Sequence, residues 1–417
     1  MTRRIVVLGG GTGGTLVANR LGSLLGREAG ITVVDRDPGH VYQPGLVFVP
    51  FGARRVEDLV RSRPGRLRSG IAYHNSAVES VAVEQDRVHL ADGTELGYDV
   101  LVVATGARPV PERTAGMTGP GWLRNVFTFY DPMGAAALEK ALAEFEGGHL
   151  AVAVLGAPVK SPFTPLEFCF LAEEYFRVRG VRGEVRLSYL TPGDAVVSPP
   201  AAAGALAALL EKKGIDVVTG FATEAVDGDE GRLAAADGRQ AGFDLAVVVP
   251  RHRGAAYLDR SPGLGDDAGF VPADPHTLQS AARPNIFVIG DAAALPAVKV
   301  ASVAHFQGEV LARNINRFLA GRRVDDRFDG HGCCLVECGS GKALLADFNY
   351  DTEPLPGHYP SALGLPLLKE SRLAHLGKRM SAWCYWHILV PGRDLPGVAS
   401  PMPRTGKRFP ARTARRP

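Results

Sequence analysis

The chain of 417 residues holds only five cysteines, none in a metal-ligand spacing. That scarcity excludes a disulfide-framed domain and a zinc site, and it fits a reducing cytoplasm. No apolar run approaches the eighteen or so residues of a membrane span. The opening Met1-Thr2-Arg3-Arg4 leads at once into a strand pattern, leaving no room for an apolar signal region. A net charge of +3 hides an asymmetry, because six basic residues and no acid fall in the last fourteen (Arg404, Lys407, Arg408, Arg412, Arg415, Arg416). The rest carries 41 basic against 44 acidic residues. With Pro403, Pro410 and Pro417 and one aromatic residue, positions 401–417 read as a basic, disordered tail. No nucleic-acid recognition motif accompanies that charge, so nucleic acid is not an expected partner.

What is present begins with a glycine-rich turn. An apolar strand (Ile5-Val6-Val7-Leu8) runs into Gly9-Gly10-Gly11-Thr12-Gly13-Gly14, then a helical stretch, then a strand ending in an acid, Ile31-Thr32-Val33-Val34-Asp35. Gly9 turns the chain, Gly11 lets backbone N–H groups approach a pyrophosphate, and Gly14 lets helix pack on strand. Asp35 stands where a carboxylate takes ribose hydroxyls. Two further strands stop at turns: Val100 to Val103 before Thr105-Gly106, and Ile286 to Ile289 before Gly290-Asp291. In this order they resemble the two-dinucleotide-binding-domain flavoproteins, whose Gly-Asp carboxylate holds the ribityl chain. The resemblance implies noncovalent FAD held by Gly9, Gly11, Thr12, Gly14, Asp35, Thr105, Gly106, Gly290 and Asp291, with Lys299 near the flavin N1 or else a solvated surface lysine.

Length suits two or three domains. The pattern predicts an α/β chain with two Rossmann-like doubly wound domains. Residues 1–110 and 243–325 form the split FAD domain, 111–242 the second domain, and 326–400 a C-terminal α+β unit with an amphipathic aromatic helix. Where a nicotinamide domain would carry a second glycine fingerprint, this chain has Gly156-Ala157-Pro158-Val159-Lys160-Ser161-Pro162, and the later strand ends in Thr191-Pro192. Side chains and a proline there oppose a pyrophosphate. NAD(P)H is therefore not expected.

Nearly the whole chain resembles the sulfide:quinone oxidoreductase and flavocytochrome c sulfide dehydrogenase family. The matching segments are Tyr42-Gln43-Pro44, Val159 to Pro162 with Pro165-Leu166-Glu167, Lys299, Phe306-Gln307-Gly308, Cys333-Cys334, and Leu367 to Arg372. That family uses two cysteines at the flavin to carry sulfur and passes electrons to quinone. By position Cys334, or its neighbour Cys333, is the downstream cysteine, and Glu167 the proton-handling carboxylate. The upstream position holds Ser161, which cannot carry sulfane sulfur. Before Pro162 it reads as the cap of the next helix. Cys169 reads as core, Cys338 as lying across a turn from Cys334 or acting as a resolving thiol, Cys384 as packing, and His305 as structural.

Lys369, Arg372, Lys378 and Arg379 interleave with Leu367, Leu368, Leu373, Leu376, Met380, Trp383, Tyr385 and Trp386. This pattern suits an interfacial helix on an anionic leaflet, aided by the basic tail, with some of the aromatics packing on the body instead. The expectation is a flavoprotein peripheral to the inner face of the plasma membrane, oxidising sulfide or a sulfide-derived thiol and reducing a membrane quinone near Phe306 and Phe348. The resemblance leaves a homodimer open. Two other readings stand: a member that has lost sulfide oxidation and serves another FAD-dependent reaction or as a binding partner, and a type II NADH:quinone dehydrogenase.

Overall fold

Runs of Val, Ile and Leu that alternate with helices favour parallel sheets covered on both faces. The computed structural model describes residues 2–198, 200–394, 398 and 400–409. Its α-helices are α1 (Thr12–Leu25), α2 (Pro132–Glu144), α3 (Thr164–Val178), α4 (Pro200–Lys212), α5 (Ala301–Leu319) and α6 (Arg372–Cys384). The first sheet has five parallel strands in the order Ile286–Val288, Val100–Val103, Arg3–Leu8, Ala29–Asp35, Ala72–Asn75. Val100–Val103, paired on both sides, is wholly buried, as an unbroken apolar run requires.

The second sheet is also parallel, in the order Val126–Phe127, Leu245–Val249, Gly148–Val154, Val185–Leu190, Asp216–Val218. The strand Leu245–Val249 lies beyond the expected boundary at 242/243 yet pairs on both sides within this sheet, so the crossing back to the first sheet comes after it. The two connections then run side by side, Arg108–Pro109 pairing antiparallel with His252–Arg253.

The C-terminal unit is a hairpin, Gly332–Gly339 against Lys342–Phe348, extended by Leu365–Leu367 and Gly357–Tyr359. Strand alternation sends Cys334, Val336 and Cys338 to the face that packs with Leu166 and Phe170 of α3, and Cys333 and Leu335 to the other. Ser371 caps α6, its hydroxyl accepting from the Ala374 N–H at 3.0 Å.

The basic tail departs from expectation over residues 400–409. Ser400 Oγ donates to Phe306 O at 3.1 Å and Met402 N–H to Asp329 Oδ2 at 2.9 Å. Lys407 is fully buried, 2.5 Å from Asp347 Oδ2, while His331 meets the other Asp347 oxygen at 3.0 Å. The buried Asp347 carboxylate thus has one lysine and one histidine as partners, which is what a charge removed from water requires. Arg412, Arg415 and Arg416 lie outside the described residues.

Candidate active site

The carboxyl ends of the first sheet and the N-terminus of α1 form the first part of the site. Gly9 has φ +92°, and a side-chain carbon there would lie 2.6 Å from Ala104 O. One on Gly14 would lie 1.8 Å from Gly9 O, whereas Gly11 has nothing within 4 Å. The turn is thus closed behind and open in front, a cradle for a phosphate at a helix start. Asp35 accepts from the N–H groups of Gly10 (2.7 Å) and Asp37 (3.0 Å) and faces Arg63 at 3.2 Å. A carboxylate has about four acceptor positions, so ribose hydroxyls still find acceptors there. Arg63 is buried and also donates to Asp37 O and Gly39 O. Thr12 at the helix start is hydrogen-bonded to Tyr385 OH, and Tyr385 OH to His40 Nε2, both at 2.7 Å. Burial, with Arg63 and Arg66, lowers His40 to about 3, so its ring is neutral.

Thr105 and Gly106 end the neighbouring strand, and the Thr105 backbone sits against Gly9. Gly290-Asp291 ends the next strand, and Gly290 N–H donates to the buried side chain of Gln307 at 2.7 Å. The Asp291 carboxylate faces Lys160 Nζ at 3.8 Å, and Lys160 donates to Gln43 Oε1 at 2.9 Å. Lys299 is neither solvated nor free to reach a ligand with its whole charge. Its Nζ donates to the carbonyls of Asp291 (2.7 Å) and Ala293 (3.0 Å) and lies 4.1 Å from the centre of the Phe270 ring. Lys160, Gln307, Arg63, His40 and Tyr385 are residues that sequence reasoning missed as site residues, although Gln43, Lys160 and Gln307 stood in segments that carried the resemblance.

Ser161 does not cap α3. The helix begins at Thr164 after Phe163, and Ser161 has φ +46°, outside cap geometry. Its N–H donates to Lys299 O at 2.9 Å and its hydroxyl accepts from Thr164 Oγ1 at 2.5 Å. Glu167, in the first turn of α3, is buried rather than exposed. It accepts from Lys378 Nζ at 2.6 Å and from Glu337 N–H at 3.0 Å. Burial pulls Lys378 down, but Glu167 outweighs it and leaves the lysine pKa raised. Glu337 in turn meets His375 Nδ1 at 2.7 Å, and burial raises its carboxyl.

Of the cysteines, Cys334 is on the α3 side of the hairpin and Cys333 on the opposite face, where Ser302 holds its backbone at both N–H and carbonyl. They cannot serve the same face. Burial pushes the Cys334 thiol well up and Cys333 to about 12. Cys338 is not across a turn from Cys334 but on the same strand and face. Four strand residues span about 13 Å, against about 4–7 Å between Cα atoms for a disulfide, so the pair cannot close while the strand persists. Cys169 is buried in the second-sheet core with Tyr189.

Phe306 is buried with its ring stacked 3.9 Å from His331, so it lines no path to the surface. Phe348 packs at 6.3 Å from Phe163, on the Cys334 side of the hairpin. His305 is buried, and burial lowers it to about 4. On α6, Leu373, Leu376, Met380 and Trp383 fall at helical spacing and each is more than half exposed, forming one apolar stripe. Tyr385 and Trp386 of the same stretch are buried in the body, and Lys378 is half-buried with its ammonium against Glu167. Among the described residues no helix is long and apolar enough to cross a membrane.

Residues 3–308 match the family described as pyridine nucleotide-disulphide oxidoreductase. The chain is 26% identical over 395 residues to the mitochondrial sulfide:quinone oxidoreductase of Mus musculus, covering 93% of this chain and 86% of that protein. It is 27% identical over 412 residues to the corresponding protein of Schizosaccharomyces pombe, covering 93% and 90%. The solved sulfide:quinone oxidoreductase of Aquifex aeolicus superposes with a TM-score of 0.80 at 19% identity, covering 95% of this chain and 93% of that one, a likeness of fold. A cradle of glycines at one sheet end, two parallel sheets joined by paired connections and relatives along nearly the whole length lead to one conclusion: the chain belongs to the pyridine nucleotide-disulphide oxidoreductase family.

Proposed function

We propose that the chain is an FAD-dependent oxidoreductase that takes two electrons from sulfide, or a sulfide-derived thiol, and gives them to a membrane quinone. The observation that carries this reading is the contrast between the open turn at Gly11 and the filled turn Gly156–Pro162, which favours one bound dinucleotide rather than two. Gly9, Gly11, Thr12 and Gly14 would hold the pyrophosphate, Asp35 the ribose, Asp291 the ribityl chain, and Thr105, Gly106 and Gly290 would shape the ring site. Bound there, FAD would supply a two-electron acceptor that quinone can reoxidise. Cys334 would receive sulfur, on the hairpin face that also carries Phe348. Glu167, held by Lys378, would manage protons beside it. The α6 stripe, with Lys369, Arg372 and Arg379, would lie on an anionic leaflet of the cytoplasmic face.

Ser161 favours a second reading, a member that no longer oxidises sulfide and serves another FAD-dependent reaction. Steady-state reduction of a short-chain quinone by sulfide separates the two. The first reading expects turnover in the wild type that Cys334→Ser abolishes and Ser161→Cys raises severalfold, since a thiol can carry sulfur where a serine hydroxyl cannot. No turnover in either the wild type or Ser161→Cys would favour the second.

A further inference from the structure

Among the described residues α1 has no side-chain cap and no acid in its first turn, and Thr12 stands between Gly11 and the pair Gly13-Gly14. Glycine adds backbone freedom, so N–H groups that must converge on a phosphate lose entropy when they are ordered. The hold on this turn comes from the far end of the chain. Tyr385 opens the π-helical turn Tyr385–Leu389 that follows α6, and its buried ring packs against Tyr42 at 4.7 Å and Trp386 at 4.9 Å. Its hydroxyl meets Thr12 Oγ1 and His40 Nε2, both at 2.7 Å. His40 Nδ1 lies 3.5 Å from Thr15 Oγ1, which donates to Gly10 O at 2.8 Å. This run of hydrogen bonds leaves the glycine turn at Thr12 and returns to it at Gly10.

The residues after Tyr385 follow the same helix. Buried Asn19 donates to Val390 O at 2.8 Å, and its Oδ1 accepts from the Arg68 N–H at 2.8 Å. Arg20 donates to Asp394 Oδ1 at 2.7 Å. Gly392 has φ +74°, and a side-chain carbon there would lie 3.0 Å from Leu16 O. From Thr12 to Arg20 the helix runs about 12 Å, so residues 385–394 back the half of α1 that ends in the cradle. Within that segment Tyr385 is the residue that reaches the phosphate end.

We propose that Tyr385 is a positioning residue for the dinucleotide, its hydroxyl bracing the glycine turn in the shape that receives the pyrophosphate. Seating of residues 385–394 and retention of the cofactor are therefore coupled. A brace formed before binding removes part of the ordering that the turn would otherwise undergo. Linkage makes the coupling reciprocal, so a loaded cradle also holds the C-terminal segment in place. That the dinucleotide is FAD rests on the reading above; the brace rests on this geometry alone.

The test uses the full-length, FAD-loaded protein, with flavin release followed on dilution as the rise of free-flavin fluorescence. Tyr385→Phe keeps the ring and should release flavin about fivefold faster or more, since it leaves Thr12 and His40 short of a buried partner. His40→Leu cuts the next link and should act in the same direction, and the double variant should be no faster than the faster single. Ser371→Ala removes the cap of α6 and lowers stability without touching the turn, so its release should match the wild type. Urea midpoints of each variant separate lost stability from lost flavin. Hydrogen exchange of the amides from Gly9 to Thr15 reads the turn without flavin and should speed up in Tyr385→Phe. Should Tyr385→Phe not fold, His40→Leu carries the comparison. Equal release from wild type and Tyr385→Phe, or equal acceleration by Ser371→Ala, overturns the positioning role. If purified wild type holds no flavin while exchange at the turn depends on Tyr385, the brace stands and the FAD reading falls. If flavin is held and neither its release nor the exchange responds to Tyr385, the reading stands and the brace falls.

Discussion

The two parallel sheets share the order of four of their strands but end differently. At the first, α1 starts immediately after Gly11, has no acid in its first turn, and has open space where a side chain would stand. At the second, α3 starts behind a buried Phe163, carries Glu167 in its first turn, and follows a loop whose Gly156 is crowded by Arg251, 2.7 Å from where a side-chain carbon would stand. A helix N-terminus attracts anions only if it is bare and its first turn uncharged or donating. The comparison teaches that one architecture yields a nucleotide cradle or a structural joint according to a handful of residues at the strand ends.

The largest break in that contrast comes from the acid that closes the second end. Lys378→Met leaves Glu167 buried without its cation and should cost about 3–5 kcal/mol by chemical denaturation. Glu167→Gln with Lys378→Met should recover most of the loss, and equal stability of both single and double variants would remove the pair from the account.

Each sheet end also buries a neutral histidine, His40 at the first, bonded to Tyr385, and His252 at the second. Both are lowered to about 3, against about 6.5 when unfolded. Below about pH 6 the unfolded chain binds protons that the folded chain refuses, so stability falls as pH falls toward 3. The slope should approach about 1.4 kcal/mol per pH unit for each histidine. Urea midpoints from pH 7 to 4 measure this, and His252→Phe should flatten the slope by one histidine's share.

A smaller effect sharpens the first end. Asp291→Ala should weaken FAD by at least tenfold, about 1.4 kcal/mol, seen as mostly colourless purified protein. Full flavin content would displace the ribityl role.

The glycine turn, the strands around it and the alternation of helices were legible because they are local: spacing within a dozen residues sets their geometry. Partners distant in sequence were not. Arg63 reaches Asp35 across 28 residues, and Tyr385 reaches Thr12 from the far end of the chain. Lys407 looked solvated in a basic tail because nothing near it in sequence announces Asp347. The capping role read for Ser161 rested on the Ser-Pro pair alone, and the helix instead starts three residues later. Cys338 read as lying across a turn from Cys334, where the strand instead continues to Gly339. Leu245–Val249 has the same buried, apolar composition in either sheet, so only pairing assigns it.

On the proposed reading the second sheet end would take no nicotinamide nucleotide and the first would hold a flavin that sulfide reduces. Anaerobic rapid mixing of the oxidised protein with sulfide or with NADH, followed at the flavin absorbance, tests it most directly. The account predicts bleaching by sulfide and little by NADH at micromolar concentration; rapid bleaching by NADH with none by sulfide would contradict it.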